Sequence, residues 1–305
     1  MRFLIFTKVF FLFFFAYFVA SAQEIRLAYS DLIPNDFQEF LYNDKILLEK
    51  DSNAEIMTLS ANKLGSLPMI KDFLSDRFDI CVLALPEGND FPLLDEDKVA
   101  KIPFCFKSSV VVVNEENPVS EVTLDQLAAI FSSSSNNSNL LTWRDVGLFS
   151  SSANYIKAYA VKGESGIATD LFRFSVLSEN FFNSTVTFDT EENVKRLIIQ
   201  DKAAVGLFPN IPENSNLKVL FLAQDDESIA YGPSIENLYY SDYFIRLPFY
   251  IVYKLTDSDR LYRLINALLS DSVADILDNN NFFSLPQVIR EKLIIDIQLY
   301  LQENE

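Results

Sequence analysis

Histidine is absent from all 305 residues. That removes the commonest general base, the serine–histidine dyad and the usual transition-metal ligand together. Cysteine occurs twice, at Cys81 and Cys105, and the pair lacks the spacing of a zinc site. An exported protein could join the two, yet both lie in apolar surroundings where small buried thiols are common, so the sequence leaves their pairing open. Positive charge is scarce as well: 25 Lys and Arg face 43 Asp and Glu, for a net charge of -18. Such a surface repels nucleic acid and anionic lipid, and neither is expected as a partner. Gly163-Glu164-Ser165-Gly166 falls one residue short of a nucleophile elbow, and the acidic runs Asp95-Glu96-Asp97 and Asp225-Asp226-Glu227 read as solvated surface. No catalytic set, metal site or cofactor is therefore expected. There are no internal repeats, and the one low-complexity stretch, 132–139, reads as a Ser/Asn loop.

What the chain does have begins at its N-terminus. Arg2 and Lys8 precede a phenylalanine-rich apolar run over 9–19, followed by Ala20-Ser21-Ala22. A basic start, an apolar middle and a small-x-small end describe a secretory signal peptide cut before Gln23. The other reading, a membrane anchor, needs about 20 apolar residues, and this run is shorter. No Cys follows the cut, so a lipid anchor is not indicated. Removing Arg2 and Lys8 takes the net charge from -18 to -20, and the residues that remain suit two lobes better than one core.

Residues 24–30 alternate as a strand does, and Ser30-Asp31 followed by Pro34 turns out of it. Phe37, Phe40 and Leu41 predict a helix, 54–59 a second strand, and Gly65-Ser66 the start of a helix with Pro68 in its first turn and Met69, Ile70, Phe73 and Leu74 on one face. Residues 78–85 form an apolar strand closed by Pro86. Further strands fall at 155–161, 203–207 and 247–252, with a helix through Leu171, Phe172 and Val176 that Ser165 caps. Two amphipathic helices end the chain, one marked by Leu261, Leu264, Ile265, Leu268 and Leu269, the other by Val288, Ile289, Leu293 and Ile297. Strands alternating with helices predict a parallel-sheet α/β protein.

The most informative stretch is 109–147. The valine run 110–113 suits a strand covered on both faces, as in parallel sheets, and Asn114 and Pro118 end it. Thr123 and Gln126 form a capping box ahead of Leu124, Leu127, Ile130 and Phe131 at helical spacing. A polar loop and then Thr142-Trp143-Arg144-Asp145-Val146-Gly147 follow, with the chain's single Trp on a loop.

This order of parts resembles the middle of the phosphate-binding proteins that serve bacterial ABC transporters, which share a strand ending in Asn, an Asn-Pro, a Leu-Thr-x-x-x-Leu-x-x-Ile-Phe helix and a Trp-x-Asp-x-Gly loop. The resemblance runs from about Ile25 to Pro286. It takes in the strand that starts Phe78-Asp79-Ile80, the Gly163-Glu164-Ser165-Gly166 turn, Ala204-Val205-Gly206, Arg246-Leu247-Pro248 and Phe282-Phe283-Ser284-Leu285-Pro286. It implies a two-lobed periplasmic-binding-protein fold of type II, with two crossing strands between α/β lobes and a ligand clamped by hinge closure. The lobes are expected at 23–113 with 223–305, and at 114–222. By the same resemblance the protein is a periplasmic or otherwise extracytoplasmic monomer that takes phosphate or another small oxyanion and serves an ABC permease in the inner membrane.

A helix start offers unpaired N–H groups and partial positive charge, so Ser66 and Ser165, with Gly166, are the candidate oxyanion cradles. The plain alternative for each serine is an N-cap, worth about 1 kcal/mol to its helix. Ser30 supplies a third hydroxyl. The family turn reads Ser-Gly-Thr with an arginine about four residues earlier; here Ile167 follows Gly166, Val161 stands in the arginine's place, and Lys162 beside it offers a point charge in place of a fork. Ala84 and Leu85 stand where the family has a polar or acidic residue and often arginine or alanine, and the acid there accepts the proton of hydrogen phosphate. Two other readings follow: a bilobed scaffold that has lost its anion and acts as an interaction protein, because apolar groups solvate an oxyanion poorly, and an exported hydrolase using paired carboxylates.

Overall fold

A computed structural model describes residues 23–43, 57–85, 94–133, 141–148, 154–162, 167–178 and 180–303. The expected leader, 1–22, and the turn holding Ser165 and Gly166 lie outside the described residues.

The chain runs β1 (Gln23–Ser30), α1 (Asn35–Asn43), β2 (Met57–Leu64), α2 (Ser66–Leu74), β3 (Ile80–Ala84) and β4 (Val99–Ser108). It continues through β5 (Val110–Asn114), β6 (Glu121–Thr123), α3 (Leu124–Phe131), β7 (Ala158–Val161), α4 (Ile167–Ser175), β8 (Thr187–Asp189), α5 (Glu191–Gln200), β9 (Val205–Phe208), β10 (Leu217–Val219) and β11 (Phe221–Ala223). It closes with α6 (Ile235–Tyr239), β12 (Arg246–Lys254), α7 (Ser258–Leu268), α8 (Asp271–Asn279), β13 (Phe283–Ser284) and α9 (Gln287–Glu303). Two main sheets result, ordered β13-β4-β12-β3-β1-β2 and β10-β5-β9-β7-β8, with β6 and β11 as a small parallel pair.

Alternation along β1 explains how the first sheet is covered. Ile25, Leu27 and Tyr29 face a core completed by Phe37 and by Leu261, Leu264 and Ile265 of α7, while Ala28 faces Met69, Ile70 and Phe73 of α2. In the second sheet β5 is buried on both faces: Val111 and Val113 meet Leu127, Phe131 and Trp143, and Val110 and Val112 meet Val194 and Ile198 of α5. Its partners β9 and β10 both run antiparallel to it, and β12 runs antiparallel to β3 and β4, so the sheets are mixed and not wholly parallel. A continuous apolar run reports burial on two faces; it carries no information about strand direction.

The capping box forms as its sequence predicts. Thr123 Oγ1 accepts from Gln126 N at 3.3 Å, and Thr123 N donates to Gln126 Oε1 at 2.9 Å. Trp143 lies on a turn, as expected, and is fully buried there, its Nε1 donating to the Ala203 carbonyl at 3.1 Å. Cys81 and Cys105 are free thiols, both buried, and burial pushes both up from the usual thiol pKa.

The crossings between sheets fall away from the expected boundaries at 113/114 and 222/223. The chain leaves the first sheet at the end of β4 and enters the second at Val110, so β5 belongs with the second sheet. On the return, Tyr243 and Ile245 still pack in the second core, and Arg246 opens β12 in the first sheet. The two crossings are tied together. Ser108 Oγ donates to the Ile245 carbonyl at 2.6 Å and Tyr243 Oη to the Ser109 carbonyl at 2.9 Å, all of it buried.

Candidate functional site

Strands β1, β2 and β3 run parallel, so their carboxyl ends share one edge of the first sheet. Strands β7, β8 and β9 do the same in the second. Ligands of open α/β sheets bind outside such edges, and every described candidate residue stands at one of them.

Ser30 is the last residue of β1 and fully buried. Its Oγ accepts from Leu32 N at 3.3 Å and lies 3.5 Å from Asp31 Oδ1, so this hydroxyl first serves the turn that leaves the strand. Ser66 opens α2, but it is not the N-cap. Gly65 holds that position in an extended conformation and supplies no side-chain bond. Ser66 Oγ instead accepts from the backbone N–H of Ala84 at 3.0 Å, which ties the helix start to the carboxyl end of β3. The plain-cap reading of Ser66 therefore gives way: its oxygen is spent on a strand end, and its own proton remains to be donated.

Lys162 follows β7 directly. Its backbone N–H donates to the Asp189 carbonyl at 2.8 Å, fixing it at the joint carboxyl edge of β7 and β8, while its side chain is exposed. Among the described residues its ammonium has no acidic partner. Helix α4 begins at Ile167, directly after Ser165 and Gly166 in the chain, which lie outside the described residues.

Ala84 and Val161 are buried, and Ile167 is half-buried at the start of α4. One group that sequence reasoning did not weigh is Asp31. It is exposed, its N–H donates to the Leu64 carbonyl at 3.0 Å, and its Oδ2 stands 3.9 Å from where a Cβ on Gly65 would be. That places a carboxylate beside the start of α2, at the edge where Ala84 provides none. Its position directly after Ser30 was the available signal.

Away from this edge the charged groups serve the fold. Asp79 accepts from Arg26 through N, Nε and Nη2 at 2.7, 3.1 and 2.9 Å, and from Arg260 Nη2 at 3.0 Å. Buried Lys107, one residue before the first crossing, donates to the carbonyls of Asn280 and Asn281 at 2.8 and 3.0 Å and lies 3.9 Å from the Phe282 ring centroid. No group of three or more potential metal ligands occurs among the described residues, and none of the described helices is long and apolar enough to cross a membrane.

No family model matches the chain. Its architecture is that of the two-lobed type II periplasmic-binding-protein fold, as comparison with solved structures establishes. A possible phosphate-binding protein from Planctomyces limnophilus superposes with a TM-score of 0.60 at 16% identity, covering 92% of this chain and 99% of that one. PstS from Borrelia burgdorferi gives 0.59 at 16% identity over 87% and 99%, and an ABC-type phosphate transport receptor from Vibrio cholerae gives 0.53 at 17% over 86% and 100%. The Planctomyces protein is described as a possible phosphate-binding protein and the Vibrio protein as a receptor. Among curated proteins, SphX of Synechococcus elongatus is 27% identical over 142 residues, which is 45% of this chain. The match spans 41% of the length of that relative.

Proposed function

We propose that this protein is an exported solute-binding protein that captures phosphate or a related small oxyanion between its lobes and delivers it to an ABC permease in the inner membrane. The observation that carries this reading is the position of Ser30 and Ser66 at the carboxyl edge of the first sheet and of Lys162 at the carboxyl edge of the second. The fold of the phosphate-binding neighbours supports it, and the apolar leader over 1–22 supports export. In this reading the N–H groups at the starts of α2 and α4 and the hydroxyls of Ser66 and Ser165 donate to the anion's oxygens. Lys162 supplies a full positive charge. Asp31 accepts the proton of a protonated oxyanion and repels a fully ionised one, the discrimination that Ala84 no longer provides. Calorimetric titration with phosphate and with sulfate tests this: heat with phosphate and none with sulfate is expected, and silence with both, without thermal stabilisation by either, rejects it.

A second reading is a scaffold that kept its lobes and lost its anion. Buried Ala84 and Val161 at family-polar positions favour it. Scattering profiles with and without anions separate the two, since a binder compacts on closing.

A further inference from the structure

The helix that ends the described chain rests on the fold more than in it. Of the residues of α9, only Arg290 and Ile297 are buried. Arg290 anchors the first turn, donating from Nε to the Leu285 carbonyl and from Nη1 to the Leu269 carbonyl, both at 2.9 Å, and pairing with Asp271 at 2.6 Å. Ile297, with half-buried Leu293 and Ile294, packs on the first core. The segments that resemble the phosphate-binding family stop at Pro286, immediately before this helix.

The outward side of α9 is mostly polar, with Glu291, Asp296 and Gln298 exposed, but an apolar line runs along it. Val288 is 73% exposed, Ile295 52% and Leu299 51%, and with Lys292 they fall on one line at steps of four, three and four residues. Single exposed apolar residues are ordinary on any surface, whereas three on one line over three turns reproduce the seam of two packed helices. At the N-terminal end of this line a groove of about 240 Å³ opens between α6 and α9, lined by Tyr239, Tyr240, Pro286 and Val288, with Tyr240 70% exposed.

We propose that this stripe is a self-association face, on which α9 of a second copy packs antiparallel about a two-fold axis between positions 293 and 294. The charges select that occupant. The two-fold sets each Val288 opposite Leu299 of the partner subunit and each Lys292 stem over Ile295 of the partner subunit. The ammonium then reaches Asp296 of the partner subunit, one position along and exposed. The stripe is its own complement in shape and in charge, with Lys292 as the polar group that fixes register. Long-range repulsion between two chains of net charge -18 opposes the contact, so association strengthens as salt screens it. A basic partner would show the reverse. This departs from the monomer expected from sequence and is independent of the ligand.

The test is sedimentation equilibrium of the purified protein from about 10 µM to about 1 mM, the range in which so small an interface reports, at low and at moderate salt. The expected result is a mass rising from one chain toward two, more steeply at the higher salt. Ile295→Glu should weaken association by more than about tenfold, and Leu299→Gln should weaken it in the same direction. Lys292→Asp should weaken it, and adding Asp296→Lys should restore it. A mass of one chain throughout, association indifferent to both Ile295→Glu and Leu299→Gln, or association that fades as salt rises would overturn the proposal.

Discussion

Replacing Asp79 with Asn keeps the shape of the side chain and an acceptor for the Arg26 N–H while removing the charge. Burial by itself would raise the Asp79 pKa; the hydrogen bonds from the Arg26 side chain and backbone and from Arg260 outweigh it and hold the carboxyl at about 2, against an ordinary 3.8. A folded-state pKa below the unfolded value means stability that is present above the unfolded pKa and lost as pH falls through the folded one. The difference corresponds to about 2.4 kcal/mol at pH 7, about half of that at pH 3, and less than about 0.5 kcal/mol at pH 2. Loss of one member of a fully buried pair costs about 3–5 kcal/mol. Here Arg26 is 41% exposed and can be hydrated once its partner is gone, so the smaller figure governs. Urea denaturation of wild type and Asp79→Asn at pH 7 and pH 3 reads the difference directly. A stability gap of about 2 kcal/mol at pH 7 that halves at pH 3 is expected. A gap of the same size at both pH values would mean that packing, and not charge, is responsible, and a gap near zero at pH 7 would refute the reasoning outright.

Burial lowers the Lys107 ammonium to about 8 from 10.5, so the folded chain favours the neutral amine and stability should rise by about 2 kcal/mol between pH 7 and pH 9.5; in Lys107→Met that rise should be missing from the denaturation profile. Gly206 lies under α5, where an added Cβ would sit 2.5 Å from Ile198 Cδ1 and 2.9 Å from Phe208 Cε2. Gly206→Ala should therefore cost about 1–3 kcal/mol by overpacking and lower the melting temperature, and an unchanged transition would contradict the packing of β9 against α5. Tyr243→Phe removes the donor to the Ser109 carbonyl, next to a Ser109 hydroxyl that is already buried with no partner among the described residues. It should cost about 1–3 kcal/mol and speed amide exchange selectively around 107–110, where uniform acceleration across both sheets would argue against a local tie between the crossings.

The fold was legible where a single local rule acted without competition. Alternation gave β1, the valine run gave β5, and the Thr123–Gln126 pair gave the start of α3. Strand β4 was not legible, because Pro103 sits in its middle and a proline there argues against a strand. The structure accommodates it at a register shift, where Tyr250 pairs with Pro103 and Phe249 with Cys105, leaving Phe104 as the extra residue of a bulge. Helices α5 and α8 were hidden because their sequences are charged and bury narrow faces, Val194 with Ile198 and Val273 with Leu277. At the candidate site, chain order was enough to bring Ser30, Ser66 and Lys162 to strand ends, since parallel strands leave their carboxyl ends on a common edge. The partner of Ser66 was beyond reach: that its oxygen binds the Ala84 N–H depends on how α2 packs beside β3, a tertiary contact with no local pattern. Trp143 falls on a loop as its surroundings predict, but loop composition does not reveal an indole anchored on the carbonyl of Ala203.

Phosphate binding measured side by side for wild type and Ser66→Ala tests the central claim most directly, because Ser66 holds the start of α2 at the end of β3. Wild type should bind phosphate in preference to sulfate, and Ser66→Ala should bind it about 10- to 100-fold more weakly, the loss of one hydrogen bond to a charged oxygen, while still unfolding cooperatively. Equal affinity in the two proteins, or no binding of phosphate by wild type, would contradict it.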